Sequence, residues 1–209
     1  PLRLSEPLQK NLEYLAPELS LPMRIVLSNL WLFEPIVVWI LDREPSTSAM
    51  VRTTTAITMV RAGVKDNVLP SLADAVVNLR ILPGDNAEGV KQRVENIIDD
   101  DRLTVNYLDA FHSNPSEVSD HTGYGFNLIE RTIAEILNDR DTAVLTAPYM
   151  LMGGTDGRHY ESISDNVYRF NPIDINSQDL SRIHGINERV SIDNYLNMIR
   201  FYFQLILQM

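Results

Sequence analysis

The chain contains no cysteine. Disulfides and thiolate metal sites are therefore excluded, and any bound metal has to be held by His, Asp or Glu. Long apolar runs are missing as well. No window approaches the roughly 18 uninterrupted apolar residues of a membrane span, and the most apolar stretch, residues 30–41, is broken by Glu34 and Pro35. Positive charge is scarce: 18 Lys and Arg stand against 28 Asp and Glu, a formal net charge of −10. That balance argues against a nucleic-acid partner, which needs a basic face to meet phosphates. The chain starts at Pro1, without an initiator methionine or a signal-like segment, and this predicts a processed or truncated piece. There is no internal repeat and no low-complexity tract.

What is present suffices for a core. Apolar residues make up 44% of the 209, enough for one large domain or two small ones and too many for global disorder. Leu8, Leu12 and Leu15 predict a helix over residues 5–15, ended by Pro17. Residues 23–32 and 35–41 read as two further short helices, unusually apolar. They are a buried cap or packing arm in the first reading, and a partner- or substrate-facing surface in the second.

From residue 52 the period changes. The β-branched run 53–60 suits a strand, and residues 67–70 a short extended piece stopped by Pro70. Residues 73–82 alternate, with Ala75, Val77, Leu79 and Ile81 on one face and Asp74, Asn78 and Arg80 on the other, Val76 among them. Pro83, Gly84 and Asp85 predict a turn, and Asn86 caps a helix over 87–98 with Val90, Val94, Ile97 and Ile98 inward. A strand over 103–108 follows. Strand, strand, helix, strand fits an α+β sandwich.

Residues 112–120 read as a linker around Pro115. A helix over 121–137 should bury Phe126, Ile129, Ile133, Ile136 and Leu137. The nearly continuous apolar run 142–152 predicts a strand covered on both sides, and 166–170 a second one. The closing helix, 192–207, carries Leu196, Ile199, Phe203 and Ile206 on its stripe. Two strands and two helices do not close an α/β layer, so further strands are expected from residues upstream of Pro1 or from another chain.

The densest chemistry lies in Gly153-Gly154-Thr155-Asp156-Gly157-Arg158-His159-Tyr160 and in Arg182-Ile183-His184-Gly185-Ile186-Asn187-Glu188. A guanidinium offers a planar two-pronged donor set for a carboxylate, so Arg158 and Arg80 are candidate anion grips, against the alternative of surface ion pairs. Asn67 can add an amide donor. Gly153 and Gly154 would let backbone N–H groups face a ligand, or form an ordinary turn. His184 is a possible metal ligand, although a lone histidine is more often a surface residue. Asp156 would orient Arg158 or cap the following segment, and Glu188 would hold the ring of His184 or simply be solvated. His159 reads as structural. His112 and His121 receive no role.

These segments, with Arg52-Thr53-Thr54-Thr55-Ala56, Asn67-Val68-Leu69-Pro70, Val77-Asn78-Leu79-Arg80 and Tyr168-Arg169-Phe170, resemble the M20 metallopeptidases. The likeness is to the carboxypeptidase S and N-acyl-amino-acid hydrolase branch, and it runs over nearly the whole chain. The resemblance implies an α+β ferredoxin-like lid domain plus an incomplete α/β layer of a zinc-peptidase catalytic domain. Residues 1–50 would be a helical segment leading into or packing on the lid, 51–112 the lid and dimerisation domain, and 113–209 the C-terminal part of the catalytic domain. It further implies two Zn2+ ions per intact site, with His184 as one ligand and Asn67, Arg80 and Arg158 on the substrate carboxylate. A peptide or N-acyl amino acid is the expected substrate, and a homodimer through the lid is expected. The family's upstream motifs, a His-x-Asp, a bridging Asp and the Glu-Glu pair with the general base, do not occur here. The expectation is therefore a C-terminal fragment of an amidohydrolase, inactive alone and partnered by its missing N-terminal part. The competing expectation is a non-catalytic assembly or dimerisation module.

Overall fold

The computed structural model describes residues 2–108, 113–137 and 144–209, and these fall into two compact units. The first comprises Pro1–Glu117 and Tyr149–Gly153, the second Val118–Pro148 and Gly154–Met209. His112, and the first two positions of the strand expected at 142–152, lie outside the described residues.

The first unit opens with helices α1 (Glu6–Leu15), α2 (Leu21–Leu27), α3 (Leu30–Leu41) and α4 (Pro45–Val51), with a 3-10 turn at Ala16–Glu18. Proline sits in the first turn of α1, of α2 and of α4, where the missing N–H has no intrahelical partner to lose. The break expected at Pro35 does not occur: Pro35 lies inside α3, and the chain turns instead at Ser28 and Asn29. Leu30 on one side of the proline and Val37 and Val38 on the other are all buried, so packing offsets the lost hydrogen bond. The Asn29 side chain donates to the Ile25 carbonyl at 2.8 Å and closes the end of α2. Leu8, Val38, Met50, Val51, Leu82 and Met150 form one core cluster, while Ala16, Leu27, Leu30 and Val37 form a second. The outer face of α3 is open, with Trp31 at 81% exposure and Ile36, Trp39 and Ile40 also exposed. No single helix among the described residues is long and apolar enough to cross a membrane.

Strands β1 (Thr54–Ala62) and β2 (Ala73–Arg80) form a two-stranded antiparallel hairpin, with Thr54 opposite Arg80 and a bulge at Thr58. Both faces are largely exposed. Helix α5 (Ala87–Ile98) is capped by Asn86, whose side chain accepts from the Gly89 N–H at 2.7 Å. Of its expected inward residues, Val90 is buried, but Ile97 and Ile98 are exposed. Residues 103–108 form no strand. A strand exists only where a ladder partner takes its N–H and C=O groups, and β-branched composition supplies the tendency without the partner.

One polar node ties this unit together. Asp85 accepts from Arg3 at 3.1 Å and from the Thr53 hydroxyl at 2.9 Å, with Arg93 at 3.8 Å. Thr53 also accepts from the Leu82 N–H at 3.1 Å, and Arg3 donates to the Pro83 carbonyl at 3.1 Å. Gly84 turns the chain at φ 90°, with the Arg3 guanidinium 3.3 Å from where a Cβ would stand. Burial pushes the Asp85 carboxyl up, but the Thr53 hydrogen bond and the charges of Arg3 and Arg93 outweigh it. The group is held below the usual carboxylate range.

In the second unit α6 (Tyr124–Leu137) packs on α8 (Ile192–Gln208), with the short α7 (Ser177–Leu180) between them in sequence. No strand forms at 166–170 or at 144–152, the described part of the other expected strand. The closing helix also differs from expectation. Leu196, Ile199, Phe203 and Ile206 are exposed, and the buried residue is Phe201, 5.0 Å from the Phe170 ring. Tyr168 anchors the start of α6. Its hydroxyl donates to the Asp120 carbonyl at 2.5 Å and its ring lies 6.3 Å from Phe126. Burial, with the Asp120 charge adding to it, pushes the phenol above its ordinary value.

A methyl group at Gly125 would stand 2.6 Å from the Tyr168 ring. Alanine gains up to about 1 kcal/mol of helix propensity over glycine, whereas overpacking a seated aromatic costs about 1–3 kcal/mol. Gly125→Ala is therefore expected to destabilise the second unit, read as a lower urea midpoint by circular dichroism. A raised midpoint would show that Tyr168 does not occupy this place.

Candidate functional site

The candidate residues divide between the units. In the first, Asn67 sits in the turn between β1 and β2, exposed, rather than in an extended piece. Arg80 ends β2 at the opposite end of the hairpin. Seven residue steps separate Ala73 from Arg80, roughly 23 Å at about 3.3 Å per residue, so the hairpin does not bring Asn67 and Arg80 together. As the alternation predicts, Arg80 points away from the half-buried Leu79, and its guanidinium donates to the Met152 carbonyl.

Gly153 closes the first unit and Gly154 opens part of the second. Neither has positive φ, and a Cβ at either would meet nothing within 4 Å. No packing within the described residues accounts for these glycines.

In the second unit Arg158 stands on a single 3-10 turn, Asp156–His159. The turn is capped by Thr155, whose hydroxyl accepts from the Gly157 N–H at 3.2 Å, so the capping expected of Asp156 falls to its neighbour. Asp156 makes no bond to Arg158 among the described residues. The orienting expected of Asp156 is absent here, and the guanidinium is exposed, donating at 3.3 Å to His159 Nε2. The turn is braced from behind. Arg169 Nε donates to the Thr155 hydroxyl at 2.9 Å, and the same guanidinium pairs with Glu161 at 2.9 Å. A Cβ on Gly157 would stand 3.0 Å from Thr155 Oγ1, 3.1 Å from Arg169 Nε and 3.2 Å from Val167. A side chain here would press on the brace, whose atoms would have to give by a few tenths of an ångström.

Thr155, Glu161 and Arg169 were not legible as positioning residues. The one signal was an arginine inside the apolar segment Tyr168-Arg169-Phe170. A buried-leaning cation needs a paired carboxylate, which pointed to an ion pair without naming Glu161.

His184 lies in the turn after α7 with φ 60°, and Asn187 follows at φ 62°. Left-handed backbone at a histidine is uncommon and needs surrounding support. Support comes from the Gly185 N–H, which bonds to the Arg182 carbonyl at 2.8 Å, and from the Arg182–Asp179 ion pair at 3.0 Å. Asp179 also closes a capping box with Asn176 at the start of α7. The imidazole and the Glu188 carboxylate are both exposed, with no hydrogen bond between them among the described residues. A zinc site needs three or four donors, and no group of three His, Asp or Glu able to hold a metal occurs among the described residues. Taken alone, these residues do not fit a zinc ion.

The fold is α+β, with a small two-stranded sheet among helices, and residues 8–104 match the model of the M20 peptidase dimerisation domain. Residues 8–104 thus carry an M20 peptidase dimerisation domain. It is 46% identical over 200 residues to N-fatty-acyl-amino acid synthase/hydrolase PM20D1 of Mus musculus, covering 96% of this chain and 39% of that protein. The human protein of the same name is 40% identical over 195 residues, covering 93% of this chain and 38% of its own length. Probable carboxypeptidase S-like 2 of Dictyostelium discoideum is 40% identical over 194 residues, covering 93% and 36%. The chain thus spans well under half the length of these relatives. No solved structure matches it significantly.

Proposed function

We propose that this chain is the C-terminal portion of a zinc-dependent amidohydrolase that cleaves an amide bond next to a free carboxylate, in a peptide or an N-acyl amino acid. The observation that carries the reading is Arg158: an exposed guanidinium without a carboxylate partner among the described residues, on a turn braced by Thr155, Arg169 and Glu161. A preset cation that spends no energy on an internal ion pair is suited to an incoming carboxylate. Two names among the relatives, N-fatty-acyl-amino acid synthase/hydrolase and carboxypeptidase S-like, agree with a carboxylate-bearing substrate.

In this reading Arg158 takes the carboxylate, and the open space at Gly153 and Gly154 admits the substrate backbone. Arg80 and Asn67 act from opposite ends of the hairpin, so they reach different atoms of the substrate. Residues 51–112 complete a ferredoxin-like lid with further strands, and the lid carries the homodimer contact. His184 supplies one donor to the metal, steadied by Glu188. The remaining ligands and the general base lie in polypeptide upstream of this chain, which is inactive alone.

Two measurements on the longer protein test this. Blocking the substrate carboxylate as its methyl amide should reduce kcat/KM by about 10- to 100-fold, the worth of a charge-assisted hydrogen bond. His184→Ala should lower bound zinc per protomer, read by elemental analysis. Full turnover of the blocked substrate removes the carboxylate grip, and unchanged zinc in the variant removes His184 from the ligand set.

A further inference from the structure

Arg158 has a partner that is not an acid. Its Nε–H donates at 3.3 Å to His159 Nε2, the next residue on the same 3-10 turn. Both side chains stand exposed. The backbone beneath them is fixed: the Arg158 N–H bonds to the Thr155 carbonyl at 3.3 Å, and the Tyr160 N–H to the Gly157 carbonyl at 3.0 Å. Thr155 caps this turn, and Arg169 holds Thr155 in turn. The nearest acid beyond the turn in sequence, Glu161, is taken by Arg169 at 2.9 Å. The guanidinium therefore keeps its whole charge while one of its five N–H groups is tied down.

Which N–H is tied matters. A guanidinium meets a carboxylate through two parallel N–H groups. They come either from the side, Nε with one Nη, or from the end, both Nη atoms together. The imidazole occupies Nε and so removes the side mode. The end mode is left, with both Nη atoms unpaired among the described residues. Holding Nε also removes torsional freedom that an unrestrained arginine would give up on binding. A carboxylate in place of the imidazole would orient the group equally well, but it would cancel the charge that attracts an anion. A neutral ring orients without neutralising.

We propose that His159 is a positioning residue, a neutral acceptor that fixes the Arg158 guanidinium end-on for an incoming carboxylate. This role presupposes the reading above, in which Arg158 takes the substrate carboxylate, and supplies the way the grip is set. It also fixes the ring's tautomer, because accepting at Nε2 requires the proton on Nδ1.

The tautomer is read first, from the ring nitrogen NMR shifts of this chain in mildly alkaline solution, without any substrate. His159 should carry its proton on Nδ1, and in Arg158→Ala it should revert towards the Nε2–H form that an unpaired histidine prefers. Kinetics in the longer protein then compare three replacements on a carboxylate-bearing amide. His159→Gln offers a neutral oxygen at similar reach and should keep KM within about twofold of the parent. His159→Phe keeps the planar ring without an acceptor and should raise KM about three- to tenfold, the worth of one neutral hydrogen bond. His159→Glu holds the same N–H but brings a charge, and should raise KM by about tenfold or more. In all three kcat should change little, because the grip is the same in the bound and transition states. A proton on Nε2 in the parent overturns the proposal. Equal loss in the Gln and Phe variants does so too, since it reduces the ring to a packing contact. So does a Glu variant that binds the acid as well as the Gln variant. The expected tautomer together with equal turnover of the acid and its methyl amide by the parent would instead sink the carboxylate reading and leave the oriented guanidinium standing.

Discussion

Replacing Arg158 by alanine in the longer protein is expected to lower kcat/KM for a carboxylate-bearing amide by about 10- to 100-fold, the loss of one charged donor pair at about 1.5–3 kcal/mol. The loss should be selective: the methyl amide of the same substrate, which offers the guanidinium no charge, should lose far less in the variant. Arg158→Lys should recover only part of the loss, because an ammonium keeps the charge but not the planar fork. The braced turn does not depend on the Arg158 side chain. The Thr155 cap and the Arg169–Glu161 pair do not involve the Arg158 side chain, so melting of the second unit should be unaltered. Equal loss on both substrates would show that Arg158 does something other than hold a carboxylate. Arg169→Ala makes the converse case. It releases the Thr155 hydroxyl and leaves Glu161 without its cation, so activity and local stability should fall together.

Asp85→Ala is expected to destabilise the first unit by about 2–3 kcal/mol, because it strands the Arg3 guanidinium and the Thr53 hydroxyl in a part-buried setting. Both tryptophans, Trp31 and Trp39, lie in α3 of this unit, so urea unfolding can be read from their fluorescence. The pH dependence has a definite sign. The Asp85 carboxyl is depressed below its unfolded value of about 3.9. Its contribution is therefore complete above that value and is lost as pH falls through the folded one. Parent and variant should differ most near neutrality, and the gap should narrow as the solution is made more acidic than the unfolded carboxyl's range. A constant gap across that range would show that the charge of Asp85 is not what the node uses.

Local signals carried the elements that are stabilised locally. The Asn86 cap and the length of α5 follow from side chains within a few residues of each other. The strands missing among the described residues share one cause. Apolar segments at 103–108, 144–152 and 166–170 state a preference for extended backbone, but a ladder is a property of two segments. The site divides in the same way. Arginine, histidine and glycine in a short polar stretch could be read directly, because chemistry belongs to the residue type. The brace beneath Arg158 joins residues 8 and 14 positions apart through side-chain contacts that no period reveals. Pro35 is the complementary case, a strong local breaker overruled by Leu30, Val37 and Val38 packing on either side of it.

Sequence alone decided which groups are available: no thiol, an acidic surface, a guanidinium at 158 and an imidazole at 184, with a likeness to the M20 peptidases legible in the order of short motifs. Tertiary structure alone decided which way those groups face. The α8 stripe has the spacing of a core helix and yet looks outward, and Arg80 and Asn67 are parted by the length of a hairpin. The reason is that periodicity fixes only which residues share a face, whereas the direction that face takes depends on the area and polarity of everything packed against it, summed over distant parts of the chain.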